Sequence, residues 1–97
     1  MSTTAIGAVV LRKRNTVRGE IISVAHFERP WVRTDAVLDD GTGTLVLRFF
    51  GRAAVAGLVT GRRVVAQGTP GRADGTVVMI NPIYSFTTGE CASGTSW

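Results

Sequence analysis

The stretch "LDDGTGTLVLRFFG", residues 38–51, contains a glycine-rich turn followed by a short run of strand-forming residues. Asp40 and Gly41 are typical of a tight turn between antiparallel strands, because glycine adopts a positive φ at no steric cost. The segments before and after the turn, "TDAVLDD" and "TLVLRFFG", contain the β-branched and apolar residues that favour strands. The stretch therefore predicts an antiparallel hairpin formed by the second and third strands of the fold.

The remaining segments predict three more strands and a short helix. The first strand is "TVRGEIISVAHF", in which Gly19 indicates a bulge or a sharp coil. Pro30 marks the loop that follows, because proline has no amide hydrogen and restricts the residue before it. The fourth and fifth strands are "RRVVAQGT" and "TVVMINPIY", joined by "PGRADG" as an exposed hairpin turn. The alanine-rich residues 52–61 predict a short helix between the third and fourth strands.

The length of 97 residues is enough for a single domain with one modest core. We expect an N-terminal basic arm over residues 1–15, a β domain over residues 16–86 and a flexible C-terminal tail over residues 87–97. The arm joins the apolar run "AIGAVVL" to "LRKRN", which is compatible with a helical turn, an extra strand or a mobile segment. The tail has no apolar period, which is typical of disorder.

The charge balance suits a polyanionic partner. Eleven basic residues against seven acidic ones give a formal net charge of +4. Ten of the eleven basic residues are arginine, the side chain that binds phosphates in a bidentate manner and stacks on bases. A biased genomic composition would explain the same arginine content, so the charge alone does not decide the partner.

The cysteine content and the apolar runs of the sequence are typical of a cytoplasmic protein. Cys91 is the single cysteine of the chain, so a disulfide within the chain and a cysteine-based metal site are both excluded. The run "AIGAVVL" is too short to span a membrane, and its basic cluster follows it instead of preceding it, unlike a signal peptide. We expect a soluble cytoplasmic protein with no membrane partner.

The predicted order of strand, strand, strand, short helix, strand, strand is that of the OB-fold. The sequence carries Gly19, "LDDGTGTLVLRFF", Gly61, "AQGT" and "MINPIY" in that order. It thereby resembles the OB-fold nucleic-acid-binding family, which includes the wedge domain of the bacterial branch-migrating helicase and tRNA-anticodon-binding domains. The resemblance covers about residues 16–84 and implies an all-β, five-stranded Greek-key barrel. The chain has no helicase motor, no phosphate-binding glycine loop and no synthetase domain, so we expect a stand-alone OB unit.

The alternation of side chains along the predicted hairpin separates a core face from an outer face. On the third strand, Arg48 and Phe50 are expected to point outward. On the second strand, Arg33 and Asp35 are expected on the same outer face. The side chains expected in the core are Ala36, Leu38, Leu45, Leu47 and Phe49. The outer face therefore combines guanidinium groups with an aromatic ring, as single-stranded nucleic acid requires.

The candidate binding residues lie on this face and in the loops beside it. Trp31 lies in the loop "AHFERPWVR" between the first and second strands, and Arg72 is expected at the tip of the hairpin turn between the fourth and fifth. Alternatives stay open for each group: Trp31 could cap the barrel, Phe50 could pack beneath the helix, and Arg72 could simply be solvated. Arg48 could pair with Asp35 across the strands. The predicted nucleic-acid-binding residues are Arg29, Trp31, Arg33, Arg48, Phe50 and Arg72.

Catalysis has no support in the residue pattern. The acidic residues are scattered, no serine, histidine and aspartate set is suggested, and "GTG" is a turn signal. His26 has no second ligand-like neighbour, so we expect no metal site. We also expect no cofactor and no small-molecule substrate. The leading hypothesis is a protein that binds single-stranded or structured nucleic acid, with DNA slightly favoured over RNA. The alternative is a protein-interaction or assembly module, which would form a homo-oligomer or bind a partner chain.

Overall fold

The computed structural model describes residues 3–51, 57–73 and 75–86, and these residues form one β-sheet. The strand order in the sheet is β5-β6-β3-β2-β1-β4-β7. The predicted all-β class is confirmed, with seven strands where five were predicted. The strands are β1 (Asn15–Phe27), β2 (Arg33–Asp39), β3 (Thr44–Phe50), β4 (Arg63–Gly68), β5 (Pro70–Ala73), β6 (Thr76–Ile80) and β7 (Ile83–Phe86).

The hairpin of β2 and β3 forms where the sequence predicts it. The two strands are antiparallel, with Ala36 opposite Leu47 and Asp35 opposite Arg48. Gly41 has a φ of 90° in the turn, and its N–H donates to the Asp39 side chain at 2.8 Å. The left-handed backbone and the short polar side chain before it explain why "DDG" is the turn of this hairpin.

Strand β1 is long because it has a different partner along each half. Its first half, Asn15 to Glu20, pairs with β4, and its second half pairs with β2 from Glu20 onward. A Cβ atom at Gly19 would lie 2.6 Å from the Asp39 backbone oxygen, so only glycine permits this approach of β1 to β2. The register shift falls between Ile21 and Ser23, just after the glycine that predicted it.

The predicted turn "PGRADG" is wrong for most of its length. Pro70–Ala73 is strand β5, and it pairs antiparallel with β6. The segment contains proline and glycine, yet proline is tolerated because β5 is at the edge of the sheet. Only the end of the segment connects the two strands.

The predicted fifth strand is interrupted at Asn81 and Pro82. Strand β6 before the interruption pairs parallel with β3, and β7 after it pairs antiparallel with β4. Asn81 has a positive φ of 46°, its N–H donates to the Arg48 carbonyl, and its side chain accepts from the Phe50 N–H. These bonds fix the bend that sends consecutive strands to opposite halves of the sheet.

The sheet curls so that strands distant in the hydrogen-bonded order meet across the core. The rings of Phe49 on β3 and Tyr84 on β7 are 5.3 Å apart and in edge-to-face contact. A Cβ atom at Gly68 on β4 would lie 2.8 Å from the Met79 side chain on β6. The side chains expected in the core, Ala36, Leu38, Leu45, Leu47 and Phe49, are all buried, as predicted.

The described part of the N-terminal arm packs on the hairpin turn. Ile6–Ala8 forms a 3₁₀ turn, and Ile6 is buried in the core cluster. The Ile6 N–H donates to the Asp40 carboxylate at 2.8 Å, and the Gly7 N–H donates to Thr42 Oγ1 at 2.9 Å. The structure therefore has a helical turn here, one of the alternatives that the sequence left open.

Two further predictions fall wholly or partly outside the described residues. Residues 52–56 of the predicted helix are outside them, and the described remainder, residues 57–61, forms turns with Gly57 and Gly61 at positive φ. The predicted tail over residues 87–97, with Cys91, is also outside the described part of the chain.

Candidate nucleic-acid interface

An exposed aromatic pocket lies at the end of β3. Trp31, Val32, Phe50 and Gly51 line it, and we call it the aromatic pocket. Trp31 is 67% exposed and Phe50 is 36% exposed, so neither ring is enclosed by the described residues. The Gly51 N–H donates to the Val32 carbonyl at 2.7 Å, which holds the Trp31 loop against the end of β3. The pocket therefore presents two aromatic side chains to solvent.

Arg33 is held over a neighbouring ring. Its guanidinium carbon lies 4.4 Å from the centroid of the Phe27 ring, which faces it from β1. Its Nε lies 3.6 Å from the Asp35 carboxylate, too far for a hydrogen bond, and makes none among the described residues. The ring and the carboxylate thus fix the position of Arg33, and its Nε is buried, so this atom is not accessible to a ligand.

Arg48 is paired with the carboxylate opposite it. Its Nε and Nη2 donate to the two oxygens of Asp35, both at 3.1 Å. This is the ion pair that the sequence left open as an alternative to ligand binding. The Arg48 side chain retains 20% exposure, so the guanidinium has an accessible edge but a largely neutralised charge.

A second concavity, which we call the arginine groove, lies beside Arg48. Arg12, Arg48 and Arg72 line it, together with apolar residues that include Val78 and Ile80. The groove encloses about 320 Å³. Arg72 lies in strand β5 and is exposed, so its predicted position at a turn tip is wrong. Arginine side chains with an apolar floor are suited to a phosphate and its attached sugar or base.

Strand β3 connects the two concavities. Phe50 lines the aromatic pocket and Arg48 lines the arginine groove, two residues apart on the same side of the strand. Arg29 is exposed in the loop before Trp31 and lines neither concavity. The structure therefore brings Trp31, Phe50, Arg48 and Arg72 onto one surface.

Sequence reasoning missed other residues of this surface. Ile80 is 55% exposed and lies beside Arg48 in the parallel pairing of β3 with β6. Phe27 is the ring beneath Arg33. Ile80 could have been found from the sequence, because an apolar residue at an outward strand position is a signal for a binding surface. Arg12 belongs to the basic run of the arm, but its place in the groove depends on a contact between the arm and β5, for which the sequence carries no local signal.

Asp39 and Asp40 lie at the hairpin turn, at the end of β2 and β3 opposite the aromatic pocket. Burial raises the pKa of Asp40, but hydrogen bonds from the Thr42 side chain and from the backbone N–H groups of Ile6, Thr42 and Gly43 outweigh it. The pKa of Asp40 is therefore below its ordinary value. Asp40 is thus a structural carboxylate that joins the arm to the turn.

The sequence matches no protein-family model and no curated protein. Within residues 3–51, 57–73 and 75–86, no helix is long and apolar enough to cross a membrane. Those same residues contain no cluster of three or more histidine, cysteine, aspartate or glutamate side chains suited to a metal ion. The candidate site therefore rests on the geometry of the surface alone.

Proposed function

We propose that this chain is a stand-alone OB-fold protein that binds single-stranded nucleic acid on the surface shared by the aromatic pocket and the arginine groove. The observation that carries the proposal is the position of Phe50 and Arg48 on one side of β3, each lining one concavity. Single-stranded nucleic acid needs both a ring for its bases and cations for its phosphates. Because Arg48 is paired with Asp35, Arg72 supplies an exposed cation in the same groove.

The strand pairing supports an OB barrel. Strand β1 pairs with β2 and β4, β2 pairs with β3, and β3 pairs parallel with β6. If β6 and β7 are counted as one interrupted strand, that strand adjoins both β3 and β4, which is the arrangement of a five-stranded barrel. The contact of Phe49 with Tyr84 supports the same closure.

Bases and phosphates would bind in different places. Bases stack on Trp31 and Phe50, and each stacked base contributes about 1 to 3 kcal/mol. Phosphates bind the exposed arginines. Arg29 contacts the nucleic-acid backbone beyond the aromatic pocket, and Arg72 contacts it in the arginine groove. These contacts do not distinguish bases, so the binding has little sequence preference. Structured nucleic acid with single-stranded ends or loops would bind in the same way.

DNA is the ligand that we favour slightly over RNA, because the sequence most resembles the helicase wedge. The two ligands are therefore compared directly in the experiment.

The test is fluorescence anisotropy with labelled single-stranded DNA and RNA of mixed sequence, titrated with the protein at 50 and 200 mM salt. With about three to five phosphate contacts, the slope of log K against log salt is about −2 to −3.5. Affinity then falls about twentyfold to a hundredfold between the two salt concentrations. A flat response to salt, or no binding at 50 mM salt, contradicts the proposal.

A second candidate function is protein assembly, which one feature favours. Strand β7 is at the edge of the sheet, and its Ile83 is 63% exposed. An edge strand with an exposed apolar residue can pair with another chain. This function requires a dimer or a hetero-complex, which light scattering detects, whereas nucleic-acid binding requires neither.

A further inference from the structure

We propose that the N-terminal arm forms one wall of the arginine groove, and that Arg12 binds the same phosphodiester of the ligand as Arg72. This inference rests on the proposed function. It adds a binding residue from a segment that the sequence describes only as a basic arm. It also changes the role of that arm from a diffuse positive charge to a fixed part of the site.

The turn that carries Arg12 is held by a nearly buried side chain. The amide nitrogen of Asn15 donates to the Val10 carbonyl at 2.9 Å and to the Lys13 carbonyl at 2.7 Å. Asn15 is only 9% exposed, so these bonds are shielded from competing water. Arg12 adopts a φ of 66° inside this turn. The Asn15 amide thus fixes the conformation of the backbone around Arg12.

A second contact attaches this turn to the groove. The Arg12 N–H donates to the Pro70 carbonyl of β5 at 2.8 Å. Arg72 lies two residues further along β5, a rise of about 7 Å. Both side chains line the groove, and arginine is long enough for two guanidinium groups at this spacing to reach one phosphate.

The electrostatics of the groove distinguish its three arginines. Arg48 is neutralised by Asp35. Neither Arg12 nor Arg72 has an ion-pair partner among the described residues. The groove therefore has two cations available for an anion, above an apolar floor that includes Ile80. A phosphodiester fits this combination better than a carboxylate side chain does, because its attached sugar and base can cover the apolar floor.

The test compares Arg12→Gln with the matched variant Arg14→Gln, which removes the same charge from an exposed residue of the same arm. Binding of a labelled single-stranded DNA is measured by anisotropy at several salt concentrations. We expect Arg12→Gln to weaken binding about tenfold at low salt and to reduce the salt slope by about 0.7. We expect Arg14→Gln to change the affinity less than about twofold.

Asn15→Ala separates the effect of position from that of charge. It removes the two side-chain hydrogen bonds that hold the turn around Arg12, and it leaves the number of arginines unchanged. If the variant remains folded by circular dichroism, we expect it to lose affinity as Arg12→Gln does. Equal effects of Arg12→Gln and Arg14→Gln would overturn the inference while leaving the proposed function intact. Failure of the native protein to bind would overturn both. Because the glutamine variants are at exposed positions, their result decides the inference even if Asn15→Ala unfolds.

Discussion

Asp35 and Arg48 lie directly opposite each other on β2 and β3 and form a bidentate ion pair with both N–O distances at 3.1 Å. The same carboxylate lies 3.6 Å from Arg33. A single acidic side chain therefore holds two arginines of the candidate interface. It fixes their geometry, and it also reduces the positive charge that a phosphate would meet.

Replacing this carboxylate should strengthen nucleic-acid binding. Asp35→Asn removes one negative charge beside Arg33 and Arg48, so we expect affinity for single-stranded DNA to rise about threefold to tenfold at low salt, with a steeper salt dependence. The measurement is anisotropy at several salt concentrations. Asp39→Asn is the control, because it makes the same charge change at the hairpin turn. Equal effects of the two variants would mean that Asp35 acts only through net charge.

Removing the exposed tryptophan should weaken binding without weakening the fold. Trp31 is 67% exposed, so we expect Trp31→Ala to change the free energy of unfolding by less than about 0.5 kcal/mol. The loss of one stacked base should reduce affinity about fivefold to a hundredfold. Ile83→Ala removes a similarly exposed side chain from β7 and should leave binding unchanged. A stronger loss of affinity in Ile83→Ala than in Trp31→Ala would contradict the position of the stacking site at Trp31.

Glycine at position 19 should be required for the fold. A Cβ atom there would lie 2.6 Å from the Asp39 backbone oxygen, and this neighbour cannot rotate away. We expect Gly19→Ala to lower the free energy of unfolding by about 1 to 3 kcal/mol, measured by urea denaturation. Gly71→Ala is the matched control, because nothing lies within 4 Å of its added Cβ and its φ is not positive. Equal stability of the two variants would contradict the close packing of β1 on β2.

The free energy of unfolding should depend on pH through the ionisation of Asp40. Its pKa is lowered from 3.8 in the folded protein, so the ionised carboxylate stabilises the fold above about pH 4. This contribution is lost as the pH falls through the lowered pKa. We expect Asp40→Asn to cost about 1 kcal/mol at pH 7. The difference between native protein and variant should shrink below pH 4 in unfolding experiments, and a difference that is independent of pH would contradict this role.

The fold class could be predicted because the hairpin determines it locally. The turn at Asp40 and Gly41 and the alternation on either side of it specified the register and the core face of β2 and β3. The interruption at Asn81 and Pro82 was not predicted, because it depends on backbone and side-chain bonds between Asn81 and residues of β3. Strand β5 was missed for a similar reason, since its pairing with β6 overrides the local turn preference of "PGRADG".

The sequence could predict a residue of the candidate site only where the residue type and its outward position were enough to identify it. Trp31 and Phe50 could be selected because large aromatic side chains stand out in a loop and on an outward strand position. The sequence could not predict whether Arg48 is ion-paired or available to a ligand, since an arginine opposite an aspartate can bind either that aspartate or a ligand. The sequence identifies Arg12 only as part of the basic run of the arm. Its place in the groove could not be predicted, because its contact with Pro70 joins segments far apart in the sequence.

The most direct test of the nucleic-acid interface is an NMR titration of ¹⁵N-labelled protein with a short single-stranded DNA of mixed sequence. We expect the amide signals of Val32, Arg48, Phe50 and Arg72 and the Trp31 indole signal to shift together at low salt and to return as salt is added. Shifts confined to the β7 edge, or no shifts at all, would contradict the proposed interface.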